Sequence, residues 1–569
     1  MTKADAADPT GVAPGAAAVR HRTGRAARWG GRRTVAPVLV LALVAGPCGA
    51  AVAQLLPQLG APVELGDLRA AFARAYGPAG VGAPAGERNW TITPGIDVEV
   101  TATDNIRGLN ATTGGFAGGG RSGKAADLVT TITPSISIQA NTQRLTASVY
   151  YAPQLRSFMR NSNMNSVPQN LNATARATII EELLFLNATA NAAEYSRAGG
   201  LGGGSTGRLS RQDMVQTTGY SLSPQLRRAF GDWGSADLTY TFAQSTQTGQ
   251  ALRASTPFAP SLAPGTTTTK TAQASFTSGQ AFGRLNYTVT LIRTAYDGQG
   301  VLKNAHRNSE SVDLGYAVTR TVTMLGELGH QDVQYGGTRK IRINGANWNV
   351  GAKWAPDPDT SITVRYGYRD GGPSYRFEGS VAPTARTRVS LSYSDGMSNA
   401  AEELQNTLGR TQISTSGITI DPVTGMPVIL NNNFRGAQGG LARVKRISAS
   451  GVLTGDADVF TLSLNRDDRT TLSGDAPGAS PSITYMTVSA GWQRELWPGV
   501  RGNAQASYSE RTASAFGGQQ TMTVSAGLNW ALSETLSTRA TYTFTRSTSS
   551  QAGFAYQANL LALGLRKTF

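Results

Sequence analysis

Tyr556-Gln-Ala-Asn-Leu-Leu-Ala-Leu-Gly-Leu-Arg-Lys-Thr-Phe569 is the stretch whose reading decides the fold. It reads as one β-strand. Counting back from Phe569 in twos gives Lys567, Leu565, Leu563 and Leu561, so one face is apolar except at Lys567, while Arg566, Gly564 and Ala562 form the other. Such a strand closes a membrane barrel or edges a soluble two-sheet sandwich, and on its own it separates neither from the other.

The rest of the chain repeats the pattern. From Trp90 onward, Trp90, Ile92, Ile96, Val98 and Val100 alternate with Thr91, Thr93, Asp97, Glu99 and Thr101. The same period runs through Val312/Leu314/Tyr316, Trp348/Val350/Ala352/Trp354, Phe460/Leu462/Leu464 and Met486/Val488/Ala490/Trp492, and 22 such segments can be counted. Their connections alternate in length. Short links fall at 141–143, 181–182, 278–282, 319–321, 355–360, 383–386, 454–457 and 531–534, with long ones at 105–126, 154–170, 196–212, 244–270, 295–309, 395–442 and 466–481 between them. A sandwich has no reason to keep that rhythm, whereas an up-and-down barrel with turns at one rim and loops at the other does. The expectation is therefore an all-β, antiparallel transmembrane barrel over 89–569, with an even strand number of about 22, within 18–22, and both ends on the turn side. Two links disturb the rhythm: 224–234 is long for a turn and 369–373 short for a loop. Pro134 in mid-strand calls for a bulge.

The N-terminus carries an export address. Seven basic residues (Lys3, Arg20, Arg22, Arg25, Arg28, Arg32, Arg33), the apolar run Ala36–Ala45 and the small-residue site Ala51-Val52-Ala53 predict a signal peptide over 1–53, cleaved between Ala53 and Gln54. Cleavage removes Cys48, the one cysteine, so neither a disulfide nor a thiolate metal site is expected. Residues 54–88 read as a periplasmic lead-in, flexible or carrying a short helix with Leu68, Ala71, Phe72 and Ala75 on one face. That is too little chain to fold a plug. The formal charge of +16 raises nucleic acid or acidic glycans as partners, and an exported chain rarely meets nucleic acid, so none is expected. Outer-membrane lipid and lipopolysaccharide are the expected surroundings, with localisation in the cell outer membrane and both termini periplasmic.

Motifs for chemistry are weak. Gly118-Gly-Gly-Arg-Ser-Gly-Lys124 approaches a phosphate-binding loop, but Ala125 stands where the magnesium-binding hydroxyl belongs, and the segment reads as a flexible loop. His306 and His330 lie apart with no carboxylate cluster at ligand spacing, so no metal, cofactor or catalytic residue is assigned. The rival is a lipid hydrolase using His330 on the outer wall, with Ser392 and Ser394 taking the opposite parity; the expectation is that the protein is not an enzyme.

Positions opposite the apolar sets should face the lumen. Candidate lumen charges are Arg176, Arg284, Lys353, Arg365, Arg376, Arg388 and Arg539, set against Asp97, Glu99, Asp313, Glu327 and Glu378, with Asp237 a further acid. The excess positive charge then falls in connections such as Arg156/Arg160 and Arg443/Lys445/Arg446. The link 395–442 is the one long enough either to fold inward as a constriction or to stay outside.

Trp90 with Thr93-Pro94-Gly95-Ile96, Thr103-Asp104-Asn105, Asp127-Leu128, Ile132-Thr133-Pro134, Arg144-Leu145 and Leu183-Leu-Phe-Leu-Asn-Ala-Thr-Ala190 resemble the outer-membrane β-barrel family associated with PEP-CTERM/exosortase systems and exopolysaccharide gene clusters. The resemblance implies a pore or scaffold in exopolysaccharide export or surface sorting, with polysaccharide or export-complex components as partners; a general diffusion porin for small solutes is the alternative. The ending Leu561, Leu563, Leu565 and Phe569 is similar to the C-terminal signal read by the barrel-assembly machinery, except at Lys567.

Overall fold

A computed structural model describes residues 90–106, 125–196, 214–249, 265–337, 339–399, 412–413, 419–420, 440–473, 482–513, 517–550 and 555–569. The proposed signal peptide, the lead-in 54–88 and most of the link 395–442 lie outside the described residues. The wall is a closed antiparallel barrel of 22 strands, from Trp90–Thr103 to Tyr556–Thr568, each paired with its successor in the chain. The last strand returns to the first in a register running from Gly95↔Thr568 to Thr103↔Leu560.

At one end every link is short, the longest being 279–284, and Trp90 and Phe569 end the wall there. The other end carries 104–126, 197–213, 249–264 and 400–440. The two irregular links resolve differently. Strand Met214–Ala229 runs straight through Pro224, leaving 230–233 as an ordinary turn. Pro224 keeps its rung to Leu186. Toward the following strand the rungs stop at Leu222↔Phe242 and resume at Gln225↔Thr239, and the Ser223 and Thr241 hydroxyls bond across the gap at 2.9 Å. The short link is a two-residue hairpin, Asp370-Gly371, with φ of 53° and 73°, the positive values such a turn needs at both positions.

Pro134 needs no bulge of its own. It stays in register with Ile96, and the irregularity sits in the neighbouring strand, which breaks into Leu145–Tyr151 and Leu155–Phe158. Those pieces pair with Ile136–Asn141 and Val129–Ile132, so the break falls opposite Pro134.

Alternation then sorts the faces. Outward positions are apolar and uncovered by protein: Leu328, Val350 and Leu563 are 66%, 56% and 56% exposed. On Asp458–Ser473 the outward run Phe460, Leu462, Leu464 is bounded by Asp458 and Arg466. The eight residue steps from Asp458 to Arg466, at ~3.3 Å each and tilted by ~40°, put the bounding charges roughly 20 Å apart along the barrel axis, close to the apolar height an outer-membrane wall presents. Trp90, Trp233, Trp354, Trp497, Trp530 and Phe569 ring the short-turn end, all exposed. Lys567 joins this ring, its ammonium donating to Thr535 Oγ1 at 2.7 Å, so its charge sits at the rim and not in the band.

The barrel interior as candidate functional site

Inward positions are small and polar. Hydroxyl pairs link neighbouring strands around the wall: Thr189–Ser221 at 2.7 Å, Thr271–Thr294 at 3.2 Å, Ser390–Ser450 at 2.6 Å and Thr523–Thr545 at 3.3 Å. Each pair satisfies its own groups and still leaves lone pairs toward the lumen.

Two charge clusters sit in this surface. Arg539 reaches across the last strand to the first, donating to Asp97 at 2.5 and 2.8 Å and to Glu99 at 2.7 and 3.1 Å. The crossing depends on Gly564, where a Cβ would stand 2.9 Å from the guanidinium carbon. Arg365 donates to Asp313 at 2.6 and 3.2 Å and to Asn349 at 3.0 Å, while Asn349 and Asn347 donate to Glu327. Arg365 and Asp313 lie on strands separated by two others, and side chains so placed can converge only on the concave face.

The other candidates are scattered. Arg176 lies over the Phe185 ring at 4.8 Å. Arg388 approaches Asp359 at 3.8 Å beside a short turn, and Lys353 faces inward near the same rim. Arg376 pairs in register with Arg365, and Glu378 follows two residues on along the same face. Asp237 accepts from Gln225 and from Thr239 Oγ1. Arg284 stands exposed at the end of the turn 279–284, just before the strand that begins at Leu285, and its carbonyl still accepts from the Ala317 amide at 2.9 Å.

Other lumen charges are hidden from a parity reading because they fall in stretches that read as connections. The strand Leu441–Thr454 starts early enough to place Arg446 in the wall, paired with Asp467 at 2.8 and 3.0 Å. Arg156 is not a solvated loop charge either: it is buried and bonded to Glu194 at 2.5 Å. His330 faces outward and bonds Asn344 at 3.1 Å, whereas Ser392 and Ser394 face inward, so the wall itself separates them. Among the described residues no cluster of His, Cys, Asp and Glu could hold a metal ion.

At the long-loop end apolar side chains become buried, inward ones such as Val333 and Tyr335 together with Met397 and Leu441, which share the parity of Leu391 and Tyr393. Tyr296, Val301, Leu302, Val333, Tyr335, Met397 and Leu441 form one buried cluster, gathered from strands on both sides of the low Asp370-Gly371 hairpin. Polar ties hold it: Arg307 to Asp370 at 2.8 Å, the Met397 amide to Asp370 at 3.2 Å, and Ser473 to the Arg339 carbonyl at 2.5 Å. A second cluster, Ile106, Val129, Phe158, Met164, Tyr556, Ala558 and Leu560, lies where the first and last strands meet. Buried apolar groups do not face an aqueous opening, so these strand ends pack on one another above the polar part of the wall. Replacing the stacked inward pair Tyr296 and Tyr335 together by Ala is expected to raise single-channel conductance several-fold while the barrel stays folded. An unchanged conductance would place the narrowest point elsewhere.

Residues 442–569, which hold the last seven strands, match the family model described as "Putative beta-barrel porin 2". No curated protein matches the chain significantly. Among solved structures, the chain is similar to the FrpB iron transporter from Neisseria meningitidis (F3-3 variant), with 10% identity, 85% of this chain and 82% of that chain covered, and a TM-score of 0.49. It is also similar to the ferric-catecholate import receptor Fiu from K12 E. coli, with 11% identity, 85% and 82% covered, and a TM-score of 0.44. For the siderophore receptor PiuA from Acinetobacter baumannii the values are 9% identity, 83% and 82% covered, and 0.45. At identities and TM-scores this low, none of them says what this barrel carries. The closed wall, its apolar band and the family match make the chain an outer-membrane β-barrel.

Proposed function

We propose that this outer-membrane barrel is a pore or scaffold for surface polysaccharide, acting in exopolysaccharide export or exosortase-linked surface sorting, with its short turns and both termini in the periplasm. The reading includes export by a signal peptide over 1–53 and insertion by the barrel-assembly machinery through Leu561, Leu563, Leu565 and Phe569. The observation that carries it is the lumen wall: paired hydroxyls on strand after strand, with the main charges Arg539 and Arg365 tied to carboxylates. A polyhydroxyl chain exchanges hydrogen bonds with such a wall at each step without being trapped at any of them. Deleting the gene and measuring polysaccharide on the cell surface and in the periplasm tests it. Periplasmic accumulation reversed by the full chain is expected, and unchanged export would overturn the reading.

The porin family match over 442–569 favours a second reading, diffusion of small solutes. Liposome swelling with mono- and disaccharides, at rates unaffected by polymer, would support it over export. We propose no enzymatic role, since His330 and Ser392 lie on opposite faces of the wall; lipid hydrolysis by the purified protein that is lost in His330→Ala would reverse this.

A further inference from the structure

One row of inward positions crosses seven consecutive strands in unbroken register: Arg365↔Arg376, Arg376↔Ser394, Ser394↔Arg446, Arg446↔Asp467, Asp467↔Tyr485 and Tyr485↔Arg511. Six strand spacings of ~4.8 Å make the row roughly 29 Å long around the inner wall. It holds four arginines and one carboxylate, and Arg469, one step along the strand from Asp467 on the same face, adds a fifth guanidinium 3.8 Å from it.

The row works against stability. Like charges directly opposite, as at Arg365↔Arg376, repel. Asp313 takes up the charge of Arg365 and Asp467 that of Arg446, but Arg376 is exposed to the lumen and makes no ion pair among the described residues. Arg511 has a buried Nε without a hydrogen-bond partner, an arrangement that costs desolvation energy unless something supplies an acceptor. A wall chosen for stability alone would place Ser or Thr at both positions, as it does elsewhere in the lumen.

We propose that this arginine row is a binding track for an anionic polymer, and that the polysaccharide handled by the barrel bears carboxylates. Guanidinium groups engage carboxylates through two parallel N–H···O bonds, which makes Arg the fitting residue for such a track. The strand spacing sets several guanidiniums along one arc, so successive acidic sugars would be held at once, each weakly. Arg376 is exposed to the lumen and Arg446 partly so, and contacts at such positions are screened by salt, so the chain can advance by exchanging one arginine for the next. The polymer assignment rests on the export reading, whereas the track itself can be tested without it.

The test is binding of a fluorescent oligoguluronate hexamer, an acidic sugar chain, to the full-length protein in detergent at low salt, beside a neutral dextran oligomer of equal length. The parent is expected to bind the acidic chain at least about ten-fold more tightly than dextran, with the preference falling as salt rises. The double variant Arg376→Glu/Arg511→Glu, shown to be folded by its shift on unheated gels, is expected to lose that preference, and Arg376→Lys/Arg511→Lys to keep part of it. Equal binding of both oligomers by the parent, or unchanged acidic preference in the double-Glu variant, overturns the track. A folded Arg293→Gln variant serves as the control, since that exposed arginine shares the outward parity of Val289 and Leu291 and should leave the preference intact. Normal acidic binding with normal export after gene deletion would retain the track and reject only the export reading.

Discussion

Arg539→Ala is expected to destabilise the folded barrel by about 3–5 kcal/mol, the usual cost of removing one partner from a buried ion pair. Arg539 is 14% exposed, and Asp97 and Glu99 are 12% and 26% exposed, so both carboxylates would be left facing each other with little water to screen them. Urea unfolding in detergent, followed by loss of the fast-migrating folded band, measures the effect. Combining Arg539→Met with Asp97→Asn and Glu99→Gln should recover most of the loss, because no uncompensated charge remains. Gly564→Val should reproduce part of it, since its side chain would occupy the path of the guanidinium. Parent-like stability in Arg539→Ala would show that water in the lumen already satisfies both acids.

The second large effect is a contrast between neighbours. Leu391 points outward at the centre of the apolar run Val389, Leu391, Tyr393, and Ser392 points inward opposite Glu378. Leu391→Arg places a charge in lipid near the midplane and should cost about 2–4 kcal/mol, read as a lower folded fraction after insertion into vesicles. Ser392→Arg gains a carboxylate across the strand and should insert like the parent. Equal folded fractions would mean that the outer face at this level does not meet lipid.

Period-two alternation was legible wherever one face meets lipid and the other meets water, and for that reason strand number, parity and the short turns could be read from residues alone. It loses its meaning at the long-loop end. Val333 and Tyr335 there are apolar and inward on the strand whose lower half carries Val322, Met324 and Leu328 outward, so apolarity marks two opposite faces of one strand. For the same reason Arg446 and Arg156 read as loop charges: strands continue past the apolar band, where no hydrophobic signal announces them. Partnerships such as Arg365 with Asp313, 52 residues apart, follow from curvature of the closed wall, which no local pattern encodes. The arginine row is hidden similarly, because its members line up from strand to strand only after the register of seven strands is known.

Pro94 has a consequence for how the barrel assembles. The contact between Asp97 and Arg539 spans 442 residues, so it forms only when all the intervening wall is in place, and long-range pairing of this kind is slow. Until then the first and last strands are open edges, each a template for pairing with another chain. On the first strand Pro94 has no N–H to offer a stranger, yet its carbonyl accepts the amide of Phe569 at 3.0 Å in the finished wall. The first strand thus gives up one donor on an edge that has to wait, while keeping the acceptor that the chain's own terminus uses. An intruding strand would find this edge one hydrogen bond poorer, so proline here favours self-closure over aggregation during the interval before the ends meet.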